Sequence, residues 1–200
     1  MRIYSLYIID LSPHTVHHEI SEPKSFIIGK NAINPSHFNV NAKGIIKMNP
    51  AVLVIDMLRE FVYGRLKSPM AMFIVPVIKN IIKYARDVNV PIIYLADRHF
   101  PFDHELRIWG PHALIGDLEG DIIDELKPDK NDIVLYKRSY SGFRDTGLKY
   151  VLRDLRVDTL ILTGIHTHIC VLHTAIDAFY ERFNLIIVED GVAAFSSEDH

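Results

Sequence analysis

A single cysteine, Cys170, stands in this 200-residue chain, so no intramolecular disulfide can form. No uninterrupted apolar run is long enough to span a bilayer, which argues against a membrane protein. The opening stretch from Met1 to Asp10 is briefly apolar, but no small-residue cleavage site follows it, so it does not read as a secretory signal. A cytoplasmic location is expected. A charge excess is also missing: 22 basic against 25 acidic residues leave a formal net charge of -3. Without a basic stripe, neither a nucleic-acid partner nor a membrane surface is expected, and small neutral or anionic substrates remain open. Chain length and apolar content suit one substantial core rather than two.

From Pro50 onward short β-branched runs alternate with longer amphipathic stretches. That rhythm is the mark of βαβ units, and it predicts an α/β fold: a doubly wound, mainly parallel sheet with helices on both faces. The expected strands are Ala51 to Ile55, Pro91 to Leu95, Ile133 to Tyr136, Thr159 to Thr163 and Leu185 to Val188, all apolar enough to be central. The expected helices are Phe73 to Val88, Glu119 to Leu126, Thr146 to Leu155 and Cys170 to Phe183.

Residues 1–48 do not share this rhythm, because Pro13, Pro23 and Pro35 interrupt them and no sustained period follows. They are read as an extension ahead of a domain over residues 49–200. Their histidines His14, His17, His18 and His37 have no spacing that fixes a metal geometry and are taken as surface residues. At the other end, Ser196-Ser197-Glu198-Asp199 resembles the capped start of one more helix, and the domain reads as cut short there.

In an open parallel sheet, ligands bind beyond the carboxyl ends of the strands. Four chemically capable residues fall at those ends: Asp56, Asp97, Lys137 and, after a short loop, Cys170. A thiol at a helix N-terminus feels the positive end of the helix dipole, which favours the thiolate. A carboxylate beside it can take its proton, and an ammonium beside both steadies the ion pair. Asp56 is the candidate base, Lys137 the orienting cation and Cys170 the nucleophile.

Asp97 and His99 alternate along one segment, and His112 follows on the same loop. One carboxylate and two imidazoles suit Zn²⁺, with Fe²⁺ or Mn²⁺ as alternatives, and leave open positions for water or a substrate nitrogen. His104 is a spare ligand on that loop. The same donors also suit a non-haem iron oxygenase, but that chemistry leaves Asp56, Lys137 and Cys170 without a role.

Over about Asn49 to Gly191 the chain resembles the isochorismatase-like cysteine hydrolases, particularly the nicotinamidases and N-carbamoylsarcosine amidases. Thr163-Gly164-Ile165-His166-Thr167-His168-Ile169-Cys170-Val171 looks like that family's nucleophile loop. Val54-Ile55-Asp56-Met57 with Phe61 looks like its first motif, and Lys137 with Ser141-Gly142-Phe143 like its lysine motif. The resemblance implies amide hydrolysis through a thioester at Cys170, with Asp56 and Lys137 completing a triad. It also implies a cis peptide at Ile165–His166 that aims backbone N–H groups at the oxyanion. Asp97, His99 and His112 match the ligands of the metal-containing nicotinamidase branch. Phe61, Trp109 and Phe143 are then expected to line the substrate site.

Nicotinamide, converted to nicotinate and ammonia in NAD salvage, is the substrate ranked first, and a homodimer or homotetramer is the implied assembly. His166 is bulkier than the small residue usual in the family, Ser-Gly-Phe replaces Ser-Ala-Phe, and the loop from His99 to His112 is short. The stretch Ser141 to Leu148 also resembles the metal-independent N-carbamoylsarcosine amidase and isochorismatase branches. An interaction protein that has lost catalysis is the alternative from a different class.

Overall fold

The structure, a computed structural model, describes residues 7–8 and 48–200. Its sheet has the order β1-β6-β5-β2-β3-β4. The strands are β1 (Tyr7–Ile8), β2 (Pro50–Ile55), β3 (Ile92–Asp97), β4 (Ile133–Lys137), β5 (Thr159–Ile165) and β6 (Asn184–Ala193). β2 to β6 pair in parallel, and β1 adds an antiparallel edge through Tyr7 and Ile8 opposite Ile187 and Ile186. The histidines of residues 1–48 lie outside the described residues.

Both faces of the sheet are covered because β2 carries apolar side chains at every position. Val52 and Val54 face α2 (Ala71–Asp87), whose Ile74, Ile78, Ile81 and Ile82 recur at helical spacing. Ala51, Leu53 and Ile55 face the other layer, where α4 (Leu148–Asp154) brings Leu148 and Leu152. Ala175 and Ala178 of α5 (Leu172–Tyr180) pack in the same layer. Two short helices complete the set, α1 (Arg59–Val62) and α3 (Leu106–Trp109).

The helix expected over Glu119 to Leu126 is absent, and two single 3₁₀ turns, Leu118–Gly120 and Asp124–Leu126, stand in its place. Its backbone is engaged elsewhere. Ile123 N–H donates to Met57 O at 3.0 Å, Asp121 O accepts from Arg59 N–H at 2.9 Å, and Ile122 bridges Leu58. Tertiary bonds to the loop after β2 thus replace helical ones. The helix expected from Cys170 begins later, at Leu172, because residues Thr167–Val171 form a π-helical turn that holds Cys170. No helix forms after Ser196 among the described residues; Ser196 Oγ instead accepts the Asp199 N–H at 3.2 Å.

The chain runs β2, β3, β4 toward one edge, then returns to place β5 on the other side of β2. The strand order therefore reverses between β2 and β5, and a crevice opens beyond their carboxyl ends.

Candidate active site

Asp56 follows the last residue of β2 directly, with φ at 52°. A non-glycine residue in the left-handed region is uncommon, and asparagine and aspartate tolerate it best. Its N–H donates to Leu95 O at 2.8 Å, and its Oδ1 accepts the Asp97 N–H at 3.0 Å, so the neighbouring strand holds the carboxylate in place. Across β2, Gly164 has φ at 114°, and a β-carbon there would lie 1.9 Å from Ile55 O. Only glycine allows β5 to come this close to β2, and the β5–β6 register shifts between Leu162 and Gly164.

Asp97 and Lys137 are register partners at the ends of β3 and β4. Lys137 is buried, and its Nζ lies 2.5 Å from Asp97 Oδ1, 2.7 Å from Asp56 Oδ2 and 3.5 Å from Cys170 Sγ. One ammonium thus bridges both carboxylates and the thiol. Burial, with the charge of Asp97, pushes the Asp56 carboxyl up to about 7 against the pull of Lys137. Burial also raises Asp97, but Lys137 and His99 outweigh it and hold that carboxyl below its usual range. Lys137 is pushed down by burial and raised further by the two carboxylates, so it stays an ammonium. Burial raises the Cys170 thiol well above its ordinary value, more than Lys137 lowers it. The expected resting thiolate is therefore replaced by a thiol beside a carboxyl that titrates near neutrality, the better arrangement for proton transfer.

Asp97, His99, Glu105 and His112 each offer a ligand atom, and the four atoms lie within 4.8 Å of one another. Among the described residues, Asp97 Oδ2 and His99 Nε2 are buried without a hydrogen-bond partner, although they sit 3.6 Å apart. Two orphaned polar atoms facing one spot fit a metal ion. The outer contacts fit it as well. His99 Nδ1 pairs with Asp103 Oδ2 at 3.2 Å and His112 Nδ1 with Gly110 O at 2.8 Å; in the tautomer that donates Nδ1–H to these acceptors, Nε2 of each ring is available to a metal ion. Arg138 holds Asp103 in turn and keeps its carboxyl down at about 2.

A narrow cavity joins these two groups of residues. Phe61, Trp109 and His112 line it together with Cys170, Ile165 and His166. Trp109 Nε1–H donates to Tyr140 Oη at 3.0 Å, which fixes the indole. The Ile165–His166 peptide bond is cis. Two residues named from the sequence are not brought here. Phe143 packs at the edge of the core, its ring 6.0 Å from that of Phe183, and does not line the cavity. His104 is exposed and borders a neighbouring cavity, while its neighbour Glu105 turns toward the metal-ligand cluster.

Glu105, Tyr140 and Phe195 escaped sequence reasoning. Glu105 lies six residues past His99 on the loop already singled out, so a carboxylate search of that loop finds it. Nothing local marks Tyr140 or Phe195.

A sheet with an acid, a lysine and a thiol converging at its switch point defines a candidate cysteine hydrolase. An isochorismatase domain matches residues 50–200, and the chain belongs to the isochorismatase family of hydrolases. Among solved structures it is similar to the N-carbamoylsarcosine amidase of Thermoplasma acidophilum, with 44% identity, a TM-score of 0.73, and coverage of 76% of this chain and 88% of that one. The nicotinamidase PncA of Bacillus subtilis is 30% identical, with a TM-score of 0.71 and coverage of 76% and 91%. The pyrazinamidase of Pyrococcus horikoshii in complex with zinc is 26% identical, with a TM-score of 0.69 and coverage of 76% and 89%. Some curated relatives are longer, and the chain spans 54% of one and 38% of another. No helix among the described residues is long and apolar enough to cross a membrane.

Proposed function

We propose that this hydrolase cleaves a small amide through a thioester at Cys170, with nicotinamide, converted to nicotinate and ammonia, as the first substrate. The observation that carries this reading is buried Lys137 Nζ in contact with Asp56, Asp97 and Cys170, the last two of which line an aromatic-walled cavity. Cys170 Sγ bonds to the amide carbon while its proton passes to Asp56. Backbone N–H groups around Ile165–His166 and Cys170 receive the oxyanion. The C–N bond breaks as Asp56 returns the proton to the leaving nitrogen, releasing ammonia. Water then gives a proton to Asp56 and its oxygen to the thioester carbon, and the C–S bond breaks as Sγ regains a proton. Lys137 orients Asp56 and favours its ionised form between these transfers.

Asp97, His99, His112 and Glu105 would hold a divalent ion, Zn²⁺ by the donor set with Fe²⁺ or Mn²⁺ as alternatives, which supplies a Lewis-acid contact for a substrate nitrogen. Phe61 and Trp109 form flat walls for a heteroaromatic ring. Ammonia release from nicotinamide by the metal-loaded protein, lost in Cys170→Ala, is the expected result. Absence of release from the wild type would sink the nicotinamide reading. A second reading, an N-carbamoyl amino acid as substrate, is favoured by the 44% identity to the Thermoplasma amidase. Turnover of N-carbamoylsarcosine that survives chelation and exceeds turnover of nicotinamide would select it. Sedimentation of the purified protein distinguishes the implied dimer or tetramer from a monomer.

A further inference from the structure

His166 is 4% exposed, and among the described residues neither of its ring nitrogens has a geometrically sound hydrogen-bond partner, although the Leu66 backbone acts on the ring. It is also a residue whose size set it apart in the sequence, and it lines the same cavity as Cys170. Phe195 stacks on its ring at 3.9 Å with 28° between the planes, and Phe61 meets it in a T-shaped contact at 5.7 Å. As packing alone, a phenylalanine would serve here at least as well, because a buried imidazole with two idle nitrogens forfeits the hydrogen bonds it makes in water. The face covered by Phe195 is not where those bonds form. Both nitrogens hydrogen-bond in the ring plane, so the Phe195 stack does not itself occupy their directions.

We propose that His166 is a specificity-determining residue: its imidazole donates a hydrogen bond to an acceptor on the non-scissile end of the amide, a group distinct from the carbonyl and from any atom taken by the metal-ligand cluster. The inference rests on the amidohydrolase reading and adds a substrate class to it, small amides with a second acceptor. That chemistry has two sources, a second ring nitrogen in a heteroaromatic amide or the carboxylate of an N-carbamoyl acid. Burial holds the ring neutral, its conjugate acid pushed down to about 4, so one nitrogen is a donor across the neutral range and the other an acceptor.

The test compares kcat/KM of the metal-loaded wild type, His166→Phe and His166→Gln on nicotinamide, pyrazinamide and N-carbamoylglycine. Nicotinamide has one ring nitrogen, pyrazinamide has a second, and N-carbamoylglycine has a carboxylate. His166→Phe is expected to lower kcat/KM about tenfold more for the amide that carries the matching acceptor than for nicotinamide, chiefly through KM. His166→Gln, which keeps a donor, is expected to recover part of the loss. Selective loss on pyrazinamide assigns the ring nitrogen, and selective loss on N-carbamoylglycine the carboxylate. An equal fall on all three, or no fall, overturns the proposal.

A second readout needs neither turnover nor the phenylalanine variant. In ¹⁵N-histidine-labelled Cys170→Ala protein, the His166 imidazole signal is expected to shift on addition of pyrazinamide or N-carbamoylglycine, and a signal unmoved by both overturns the inference. Hydrolysis of nicotinamide with a flat His166 profile removes this proposal alone. Hydrolysis of none of the three amides removes the amidohydrolase reading as well.

Discussion

Gly164 and Ile55 touch across the two central strands so closely that a β-carbon on Gly164 would sit 1.9 Å from the Ile55 carbonyl oxygen. Asp56 follows Ile55, and the nucleophile loop follows Gly164, so this contact sets the spacing between the candidate base and the candidate nucleophile. Gly164→Ala must displace the backbone and also strains a φ of 114°. It is expected to cost about 3 kcal/mol or more in denaturant unfolding. A loss within about 0.5 kcal/mol would show that the strands can part freely.

Lys137 faces two carboxylates and a thiol with no solvent to replace it. Lys137→Met leaves Asp56 and Asp97 close together and uncompensated, so stability is expected to fall by about 3 kcal/mol. Turnover by the folded fraction is expected to fall on the order of 10²-fold or more. Full activity in this variant would remove the lysine from the chemistry.

Asp103 reaches the candidate metal site only through His99, whose Nδ1 it engages at 3.2 Å. Asp103→Ala frees that ring to turn, and metal affinity is expected to weaken about 10- to 100-fold. Competition against a coloured chelator measures it. Unchanged affinity would mean that His99 is held by its burial alone.

Asp177 sits against Arg144, with its Oδ2 accepting from Nε at 2.9 Å and its Oδ1 from Nη2 at 2.8 Å. Burial raises its pKa, but the Arg144 pair and Ser141 outweigh this and hold the carboxyl below its ordinary value. A lowered folded-state value means that the pair stabilises the fold above the unfolded value and that this contribution is lost as pH falls through the folded one. Urea midpoints measured downward from neutral pH should therefore drop less steeply below pH 4 in Asp177→Asn than in the wild type. The difference should be small and salt-sensitive, because Arg144 is largely exposed. Parallel curves would show that Asp177 titrates alike in both states.

Much of the fold was legible because a buried parallel strand must be apolar on both faces, and such runs stand out from their surroundings. Four of the five expected strands agree with the structure to within about two residues at each end, β6 runs past Val188 to Ala193, and the βαβ rhythm implies the side of the sheet on which Asp56, Asp97, Lys137 and Cys170 meet. The segment Glu119 to Leu126 shows where local pattern fails. Its apolar residues suit a helix, yet its backbone bonds to Met57 and Arg59, which are some 60 residues away in sequence. The strand at Tyr7–Ile8 is a similar case, since its pairing with β6 depends on an edge that exists only once the sheet is built.

By itself the sequence determined which residue types stand at the strand ends and in what order, because those properties depend on neighbours along the chain. Only the tertiary structure decided their states and their company. Burial lifts Asp56 to about 7 and keeps Cys170 a thiol, Glu105 joins the ligand cluster while His104 and Phe143 stay outside the cavity, and Phe195 lies on His166. Desolvation and contact across the sheet are set by distances in space, and spacing along the chain does not encode them.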